Sequence, residues 1–423
     1  MEAWAGIVGA EFARPGTRAD AVDGVVPVCV ARPASVDELQ SLVRAAAASD
    51  AVVIATGLGG HLDVGAPPRR VDVLLRLDRL DVVLDHQAAD MTVTAAAGCS
   101  LARLDAVLAM AGQWLPLDPP RPGATTVGGL IAANLAGPLR ASQGTVRDLL
   151  LGLRVVGADG ALVSSGGRVV KNVAGYDLSK LHVGALGTVG VVVEATFKVR
   201  PRPACEEAVV IACRSARAAG DVALAVRDAV EPFWLEAAGS QALADGPGAA
   251  AAVVVVVGIG GCVEEVVAVS AEVRQLAATR GWKTLVVEDG AGLRVRLGEF
   301  GVEPAAAVLR VGTLPTEVGA VMDLAETTAH AQGSDARCLA HAANGIVRVA
   351  IAEARATGAV LAALRAAVAA HGGSAVVERA TPAAKAGLDI WGVDGPQLEL
   401  MRRLKATFDP SGLLAPGRFV GGI

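Results

Sequence analysis

Apolar and polar positions alternate with two different periods along the first half of the chain. Ser35 and Glu38 form a capping box, and apolar residues three and four positions apart continue it as one face of a helix. Asp159-Gly160 lies between two apolar runs, a pattern typical of a tight hairpin. The predicted elements are a helix over 35–46, a buried strand over 51–56, a helix over 100–108, a hairpin over 153–165 and a strand over 190–200.

After Arg200-Pro-Arg-Pro203 the chain becomes rich in alanine, and strand and helix patterns alternate without a visible internal repeat. We expect an α+β fold with one domain over 1–203, a second α+β domain whose helices cover one sheet over 204–390, and a C-terminal segment over 391–423. The elements predicted in the second domain are strands over 253–257, 284–288 and 375–379 and helices over 264–279 and 359–370.

Composition narrows the classes of function. The 423 residues carry 38 Lys and Arg against 43 Asp and Glu, so no basic excess exists to neutralise the phosphates of a nucleic acid. Mean hydropathy is +0.49, but the uncharged run Gly246–Val263 contains Pro247 and several glycines, which predicts a buried strand rather than a membrane span. No secretion signal is visible. Six scattered cysteines without a CxxC pair predict reduced thiols, a cytoplasmic protein and no ordinary cysteine-ligated iron–sulfur cluster.

A first glycine-rich loop follows the strand predicted over 51–56 and contains Gly57, Gly59, Gly60 and His61. Bare backbone amides can cradle a pyrophosphate. Leu62, however, stands where the Rossmann pattern requires its third glycine. These residues alone are compatible with a phosphate loop or with a plain turn between strands.

A second candidate loop, Gly258–Gly261, lies between a strong strand and a strong helix, and Glu288 and Asp289 end the next strand. This arrangement supports the alternative of an NAD(P)-dependent oxidoreductase. Val263 in the third glycine position weakens it.

A third group of motifs begins with PPRPGATTVGGLIAANLAGP at 119–138, where hydroxyls and paired glycines precede an apolar helix. That combination suits an anionic cofactor at a helix N-terminus. The segments GTVRD and KNVAGYDLSKLHVGALGTVG follow, and the latter holds the only tyrosine of the chain, Tyr176. A glycine-rich surface loop is the alternative. The residues singled out in the first of these motifs are Thr125, Thr126, Gly128 and Gly129.

Together these motifs resemble the FAD-binding domain of the vanillyl-alcohol-oxidase/PCMH flavoprotein superfamily, and within it the E-subunit group of bacterial glycolate oxidases. The run KNVAGYDLSKLHVGALGTVGVVVEATFKVRPRP and the tail RRLKATFDPSGLLAPGRF carry the resemblance together with the motifs above. The resemblance implies a two-subdomain PCMH-type FAD-binding domain, a ferredoxin-like cap domain and a tail that returns to the FAD-binding domain. The implied FAD-contacting residues are Gly57, Gly59, Gly60, His61, Thr125, Thr126, Gly128, Gly129, Asp148, Asn172, Gly175, Tyr176, Gly187, Val189 and Gly190.

Two departures from the family pattern affect the first loop. Thr56-Gly57-Leu58-Gly59 stands where the family has Arg/Lys-Gly-Gly-Gly, so the phosphate contacts there differ. His61 falls one position late for the histidine that holds the flavin covalently in some relatives. We therefore expect FAD to be bound without a covalent bond.

The resemblance implies an FAD-binding subunit of a glycolate or D-2-hydroxy-acid oxidase complex, with flavin N5 accepting hydride from the substrate α carbon. The implied partners are a homologous flavoprotein subunit and an iron–sulfur subunit that takes the electrons, with peripheral membrane association through them. The alternative is a non-catalytic, flavin-carrying assembly subunit whose homologous partner performs the chemistry.

Oxidation of a hydroxy acid also requires a base and a cation for the carboxylate. His341 and Arg348 are the candidates, and His341-Ala-Ala-Asn344-Gly345 weakly resembles a stretch of the catalytic subunit. A hydrogen-bonded histidine at the end of a strand is the alternative for His341. No paired histidines are visible, so we expect no metal site.

Overall fold

The structure is a computed structural model that describes residues 2–167, 176–239, 251–302 and 304–423. The chain divides into two compact units. The first comprises Met1–Leu135, Thr145–Arg202 and Val393–Ile423, and the second comprises Ala136–Gly144 and Pro203–Gly392. No helix in the described ranges is long and apolar enough to cross a membrane.

Every helix and strand predicted above is present, with bounds that shift by a few residues. The helices are α1 (Glu2–Val8), α2 (Val36–Ala48), α3 (Leu101–Ala109), α4 (Val127–Ala132), α5 (Val146–Leu149), α6 (Ser179–His182), α7 (Ala216–Ala229), α8 (Val263–Arg280), α9 (Gly290–Gly298), α10 (Val318–Ala331), α11 (Ala354–Ala369), α12 (Pro382–Lys385) and α13 (Gly395–Phe408). The strands are β1 (Ala13–Pro15), β2 (Cys29–Ala31), β3 (Val53–Thr56), β4 (Val73–Arg76), β5 (Val83–Gln87), β6 (Thr92–Ala96), β7 (Gln113–Trp114), β8 (Leu150–Val156), β9 (Leu162–Gly166), β10 (Val191–Lys198), β11 (Arg200–Pro201), β12 (Cys205–Cys213), β13 (Trp234–Gly239), β14 (Val253–Gly261), β15 (Thr284–Val287), β16 (Ala307–Gly312), β17 (Ala336–His341), β18 (Ile346–Ile351) and β19 (Ser374–Ala380).

The first unit contains two larger sheets that share one apolar core. The order of the first sheet is β1-β2-β4-β3, with β2, β4 and β3 parallel, and the order of the second is β5-β6-β10-β8-β9, all antiparallel. Apolar residues of α2 and of the two central strands β6 and β10 belong to the same buried cluster. The two sheets therefore stand as two subdomains of one folded unit.

Helix α2 has the cap and the apolar face that its sequence predicts. Ser35 Oγ accepts a hydrogen bond from Glu38 N at 3.1 Å, and Glu38 Oε2 accepts one from Ala34 N at 2.7 Å. Leu39 and Leu42 on its apolar face are buried in the core. Capping of this kind satisfies amides that have no partner within the helix, which stabilises a helix by about 1 kcal/mol.

The C-terminal segment belongs to the first unit. Val53 N donates to Leu413 O and Ala415 N donates to Val53 O, both at 2.9 Å, so the tail extends the edge of the first sheet beside β3. The half-buried Lys405 ammonium pairs with Asp409 and donates to Thr188 O at 2.8 Å. The last residues of the chain thus support the segment that precedes β10.

The second unit is an eight-stranded antiparallel sheet in the order β15-β12-β14-β13-β17-β18-β16-β19. Read along the chain, it is two successive β-α-β-β-α-β modules, one from β12 to β15 and one from β16 to β19. The modules join through β13 and β17, where Glu236 pairs with His341. The sequence shows no such repeat. The ferredoxin-like topology that the resemblance implied for the cap domain therefore occurs twice.

One short segment lies elsewhere than predicted. Ala136–Gly144 falls inside the domain expected over 1–203 but clusters with the second unit. Its 3₁₀ turn Pro138–Ala141 contacts β13, and Ser142 Oγ donates to Phe233 O at 2.6 Å. This placement was missed from the sequence because a contact with residues more than ninety positions further along the chain leaves no local pattern in the sequence.

Candidate functional site

The glycine-rich segments of the first unit meet at one cleft of about 880 Å³. The first loop, the start of α4 and the loop before β10 each line part of it. The predicted residues that line it are Gly57, Gly59, Gly60, His61, Thr126, Gly128, Gly129, Gly187 and Gly190.

The first loop presents a run of backbone donors without partners. The amides of Gly57, Leu58, Gly59 and Gly60 donate no hydrogen bond to any residue that the structure describes. Buried or partly buried N–H groups are almost always satisfied, so a run of this kind requires water or a ligand. Consecutive amides in a glycine turn form an anion-binding nest.

Two guanidinium groups hold the carbonyl groups of the same loop. Arg121 donates to Gly60 O, and Arg418 donates to Leu62 O at 3.0 Å and to Ala66 O at 3.2 Å. Arg418 itself pairs with Asp23 at 2.9 Å, and its burial lowers the pKa of the guanidinium. These contacts fix the backbone on either side of the loop, whereas the amides of Gly57–Gly60 have no partner among the described residues.

The start of α4 closes the other side of the cleft. Thr126 Oγ1 accepts a hydrogen bond from Gly129 N at 3.3 Å. A Cβ atom at Gly57 would lie 2.2 Å from Thr126 Oγ1, so only glycine permits this approach. At Gly129 the nearest atom to an added Cβ is the same hydroxyl, at an ordinary 3.5 Å. Because α4 has only six residues, bare backbone rather than a long helix dipole provides the cradle.

Several residues predicted to contact the cofactor do not line the cleft. Thr125 is buried, and its Oγ1 lies 2.7 Å from His61 Nε2, so it acts on the loop histidine. Asp148 caps α5 by accepting from Thr145 N at 2.8 Å, and that hydrogen bond lowers the pKa of the carboxyl. Val189 is buried, and Tyr176 is 94% exposed.

Two further predicted residues, Asn172 and Gly175, lie outside the described residues. Contact of any of these six residues with the cofactor stays a prediction.

Two residues that the motifs did not single out, His182 and Arg418, also line the cleft. The signal for His182 was its place as the only histidine in KNVAGYDLSKLHVGALGTVG, whereas Arg418 reaches the loop from the far end of the chain.

The structure contradicts the NAD(P) interpretation of Gly258–Gly261. These residues form the end of β14, and they pair residue by residue with Cys205–Ala208 of β12. An added Cβ at Gly258 would lie 1.9 Å from Trp234 Cε2, and one at Gly260 would lie 2.5 Å from Phe233 Cδ1. The glycines thus make room for two aromatic rings on a paired strand, and no loop is present to hold a pyrophosphate.

The two predicted catalytic side chains are both committed within the second unit. His341 Nδ1 lies 2.8 Å from a carboxylate oxygen of Glu236, the residue is buried, and its Nε2 has no partner among the described residues. Burial, helped by Arg140 and Arg348, lowers the pKa of His341 well below its usual value. Arg348 forms a two-point ion pair with Glu378, at 2.8 and 3.1 Å.

No group of three or more potential metal ligands occurs among the residues that the structure describes. Among the described residues, the run of unpaired backbone donors lies in the glycine-lined cleft of the first unit. Its run of unsatisfied amides and its close backbone packing fit the pyrophosphate of a dinucleotide. The fold and the cleft together are typical of a two-domain protein that uses a dinucleotide cofactor.

Comparisons with known proteins specify that class. The FAD binding domain model matches residues 27–166, and the model of the FAD linked oxidases, C-terminal domain, matches residues 202–419, more than half of the chain. The chain belongs to the FAD-linked oxidase family.

Named relatives include two different subunits of one kind of enzyme. Glycolate oxidase subunit GlcE of Escherichia coli is 45% identical over 122 residues, which are 29% of this chain and 35% of that protein. Glycolate oxidase subunit GlcD of Bacillus subtilis is 31% identical over 178 residues, and D-2-hydroxyglutarate dehydrogenase of Xanthomonas citri is 36% identical over 177 residues; each match covers 42% of this chain and 38% of the relative. The chain thus matches less than half the length of these relatives.

Solved structures agree with the fold over nearly the whole chain. p-Cresol methylhydroxylase with substrate bound superposes with a TM-score of 0.74 at 14% identity, covering 99% of this chain and 95% of that one. Alkyldihydroxyacetonephosphate synthase gives a TM-score of 0.72 at 18% identity, covering 96% and 82%. The family, the α+β architecture of a two-domain FAD oxidase and the FAD cofactor that the sequence predicted are confirmed.

Proposed function

We propose that the chain is the FAD-binding subunit of an oxidoreductase complex that acts on glycolate or a related D-2-hydroxy acid. The observation that carries the proposal is the cleft whose four consecutive amides have no partner among the described residues, in a member of the FAD-linked oxidase family. Bound FAD supplies the hydride acceptor for the substrate. The chain's own part is to hold the pyrophosphate on Gly57–Gly60 and to keep that loop rigid through Arg121 and Arg418.

The proposed partners follow from the relatives and the cysteines. Two different subunits of glycolate oxidase, GlcE and GlcD, both resemble this chain, which favours a homologous flavoprotein as one partner. Six scattered cysteines provide no ordinary cluster ligands, so we assign onward electron transfer to a separate iron–sulfur subunit. We place the complex in the cytoplasm, with any membrane association made through its partners.

A second function, a flavin-carrying assembly subunit, is favoured by the state of the predicted catalytic residues. His341 is closed to solvent, and Arg348 is neutralised by Glu378. A base must reach the substrate proton, and the cation that holds the substrate carboxylate must be within its reach, whereas Arg348 is buried and already paired with a carboxylate. In this second proposal the homologous partner binds and oxidises the hydroxy acid.

Anaerobic titration separates the two proposals. The purified chain is loaded with FAD and mixed with glycolate, D-lactate or D-2-hydroxyglutarate without oxygen. Bleaching of its own flavin absorption supports catalysis by this chain and rejects the assembly role. An unbleached flavin that becomes reduced only after the homologous subunit is added supports the assembly role. A chain that binds no FAD in a thermal-stabilisation assay contradicts both.

The role of His341 is tested by His341→Gln and Glu236→Gln in the same assay. If His341 is the base, its neutral Nε2 accepts the substrate proton while Glu236 fixes the tautomer through Nδ1. We then expect His341→Gln to slow flavin reduction by about a hundredfold and Glu236→Gln to shift the pH profile. Equal rates in all three proteins, with unchanged melting temperatures, exclude the role.

A further inference from the structure

His182 is the last residue of α6 and lies against the cleft. Its side chain lines the same space as Gly57–Gly60 and Gly190. A Cβ atom at Gly190 would lie only 3.2 Å from His182 Cε1, so the ring packs closely on that glycine. The residue is 9% exposed. His182 is therefore a buried polar side chain in the wall of a cofactor site.

The Nδ1 atom of His182 has no hydrogen-bond partner in the described part of the chain, although it is shielded from solvent. Such atoms are rare in folded proteins, because an unsatisfied buried polar group is costly. The other histidine of the cleft differs, since His61 Nε2 lies 2.7 Å from Thr125 Oγ1. Of these two histidines, His182 is the one whose polar atom is left for something outside the described chain.

The charge state of His182 limits what it can bind. Burial lowers the pKa of its imidazole to about 4, so the ring is neutral at neutral pH. A neutral imidazole offers one donor and one acceptor and no net charge. It is suited to a hydroxyl or a heterocyclic nitrogen or carbonyl, whereas the amides of Gly57–Gly60 are suited to an anion.

We propose that His182 is a cofactor-binding residue whose Nδ1 forms a hydrogen bond with an uncharged polar group of bound FAD. This inference rests on the assignment of FAD to the cleft. The cleft then divides the ligand between two kinds of group: the glycine amides hold the pyrophosphate, and His182 holds a hydroxyl or a ring atom.

Equilibrium titration of the apoprotein with FAD tests the proposal, with thermal melting of the same apoprotein as a second readout. His182→Phe keeps an aromatic ring and removes the hydrogen bond, and His182→Asn keeps a donor and an acceptor. We expect His182→Phe to weaken FAD binding about tenfold and His182→Asn to retain more affinity. The exposed His371, changed to Phe, is the matched control.

Melting of the apoprotein distinguishes a ligand contact from packing. Because His182→Phe removes an unsatisfied polar atom from a buried place, the apoprotein of this variant should melt no lower than the wild type. Unchanged FAD affinity in His182→Phe overturns the proposal. So does a parallel loss of affinity and apoprotein stability that His182→Asn does not relieve. Absence of FAD binding in the wild type instead refutes the assignment of FAD to the cleft.

Discussion

Two clusters of glycines in this chain lie at the end of an apolar strand, and of the two only Gly57–Gly60 line the cleft of the first unit. Gly57–Gly60 leave β3 as a loop, and their amides donate to no described residue. Gly258–Gly261 continue β14 and remain paired with β12 throughout. In the first cluster the missing side chains at Gly57 and Gly60 let the loop pack against Thr126 and Ala124 while it lines the cleft, and in the second they leave space for Trp234 and Phe233.

The two clusters differ in what their backbone N–H groups donate hydrogen bonds to. A strand uses its amides in the ladder, so a glycine there can serve only packing or bending. A loop held by its carbonyls, as Arg121 and Arg418 hold this one, keeps its amides for a ligand. A glycine motif therefore indicates a nucleotide site only when its donors have no partner within the fold.

The largest effect should come from a side chain at Gly258. In Gly258→Ala the Cβ atom would lie 1.9 Å from the fully buried Trp234 ring, whose Nε1 donates to Glu206 Oε1 at 2.7 Å. Glu206 also binds Arg294 at 2.8 Å, so displacing the ring disturbs a buried ion pair. We expect the free energy of unfolding to fall by about 4 kcal/mol, measured by denaturant titration followed by tryptophan fluorescence.

Gly261→Ala is the matched control for that change. Its Cβ atom would lie 2.2 Å from Glu265 Oε2, the mobile end of a long side chain that can move aside. We expect its unfolding midpoint to stay near that of the wild type. Wild-type stability in Gly258→Ala, combined with lost binding of NAD(P), would restore the nucleotide interpretation of this cluster.

The next effect is on binding rather than stability. Gly129→Asp meets no backbone clash, because the nearest atom to its Cβ lies 3.5 Å away, yet it places a carboxylate in the cleft. Repulsion of the pyrophosphate should weaken FAD binding by roughly a hundredfold, about 2.7 kcal/mol. An acidic residue in the first turn of α4 is favourable for the helix, so the apoprotein should remain stable.

Equilibrium FAD titration and apoprotein melting measure the two effects of Gly129→Asp separately. Gly6→Asp adds the same charge on α1, where nothing lies within 4 Å of the new Cβ, and should bind FAD normally. Normal FAD affinity in a folded Gly129→Asp protein would place the pyrophosphate away from α4. Together with Gly258→Ala, this variant tests whether one cluster serves binding and the other serves packing.

The sequence predicted what depends on local pattern and on recognisable motifs. Ser35 and the periodic residues after it defined α2, and the glycines of three segments marked most of the cleft. The duplicated module of the second unit was invisible, because β-α-β-β-α-β topology can be built twice from unrelated side chains that share only their burial pattern. The roles of His182 and Arg418 could not be predicted either. The unpaired Nδ1 atom of His182 and the contact of Arg418 with the first loop can be recognised only in the folded chain.

The smallest effect concerns the titration of His182 in the apoprotein. Its pKa is about 4 in the folded chain against an ordinary value of 6.5, so between those values the unfolded chain binds a proton that the folded chain does not. Stability therefore falls as the pH is lowered through this window, by about 1 kcal/mol from this residue between pH 7 and pH 5.5. Unfolding free energies at both pH values, compared between wild type and His182→Phe, isolate the contribution because the other titrating groups are common to both. The same pH dependence in the two proteins would mean that His182 is not held neutral, and the cleft would then present a cation beside the amides of Gly57–Gly60.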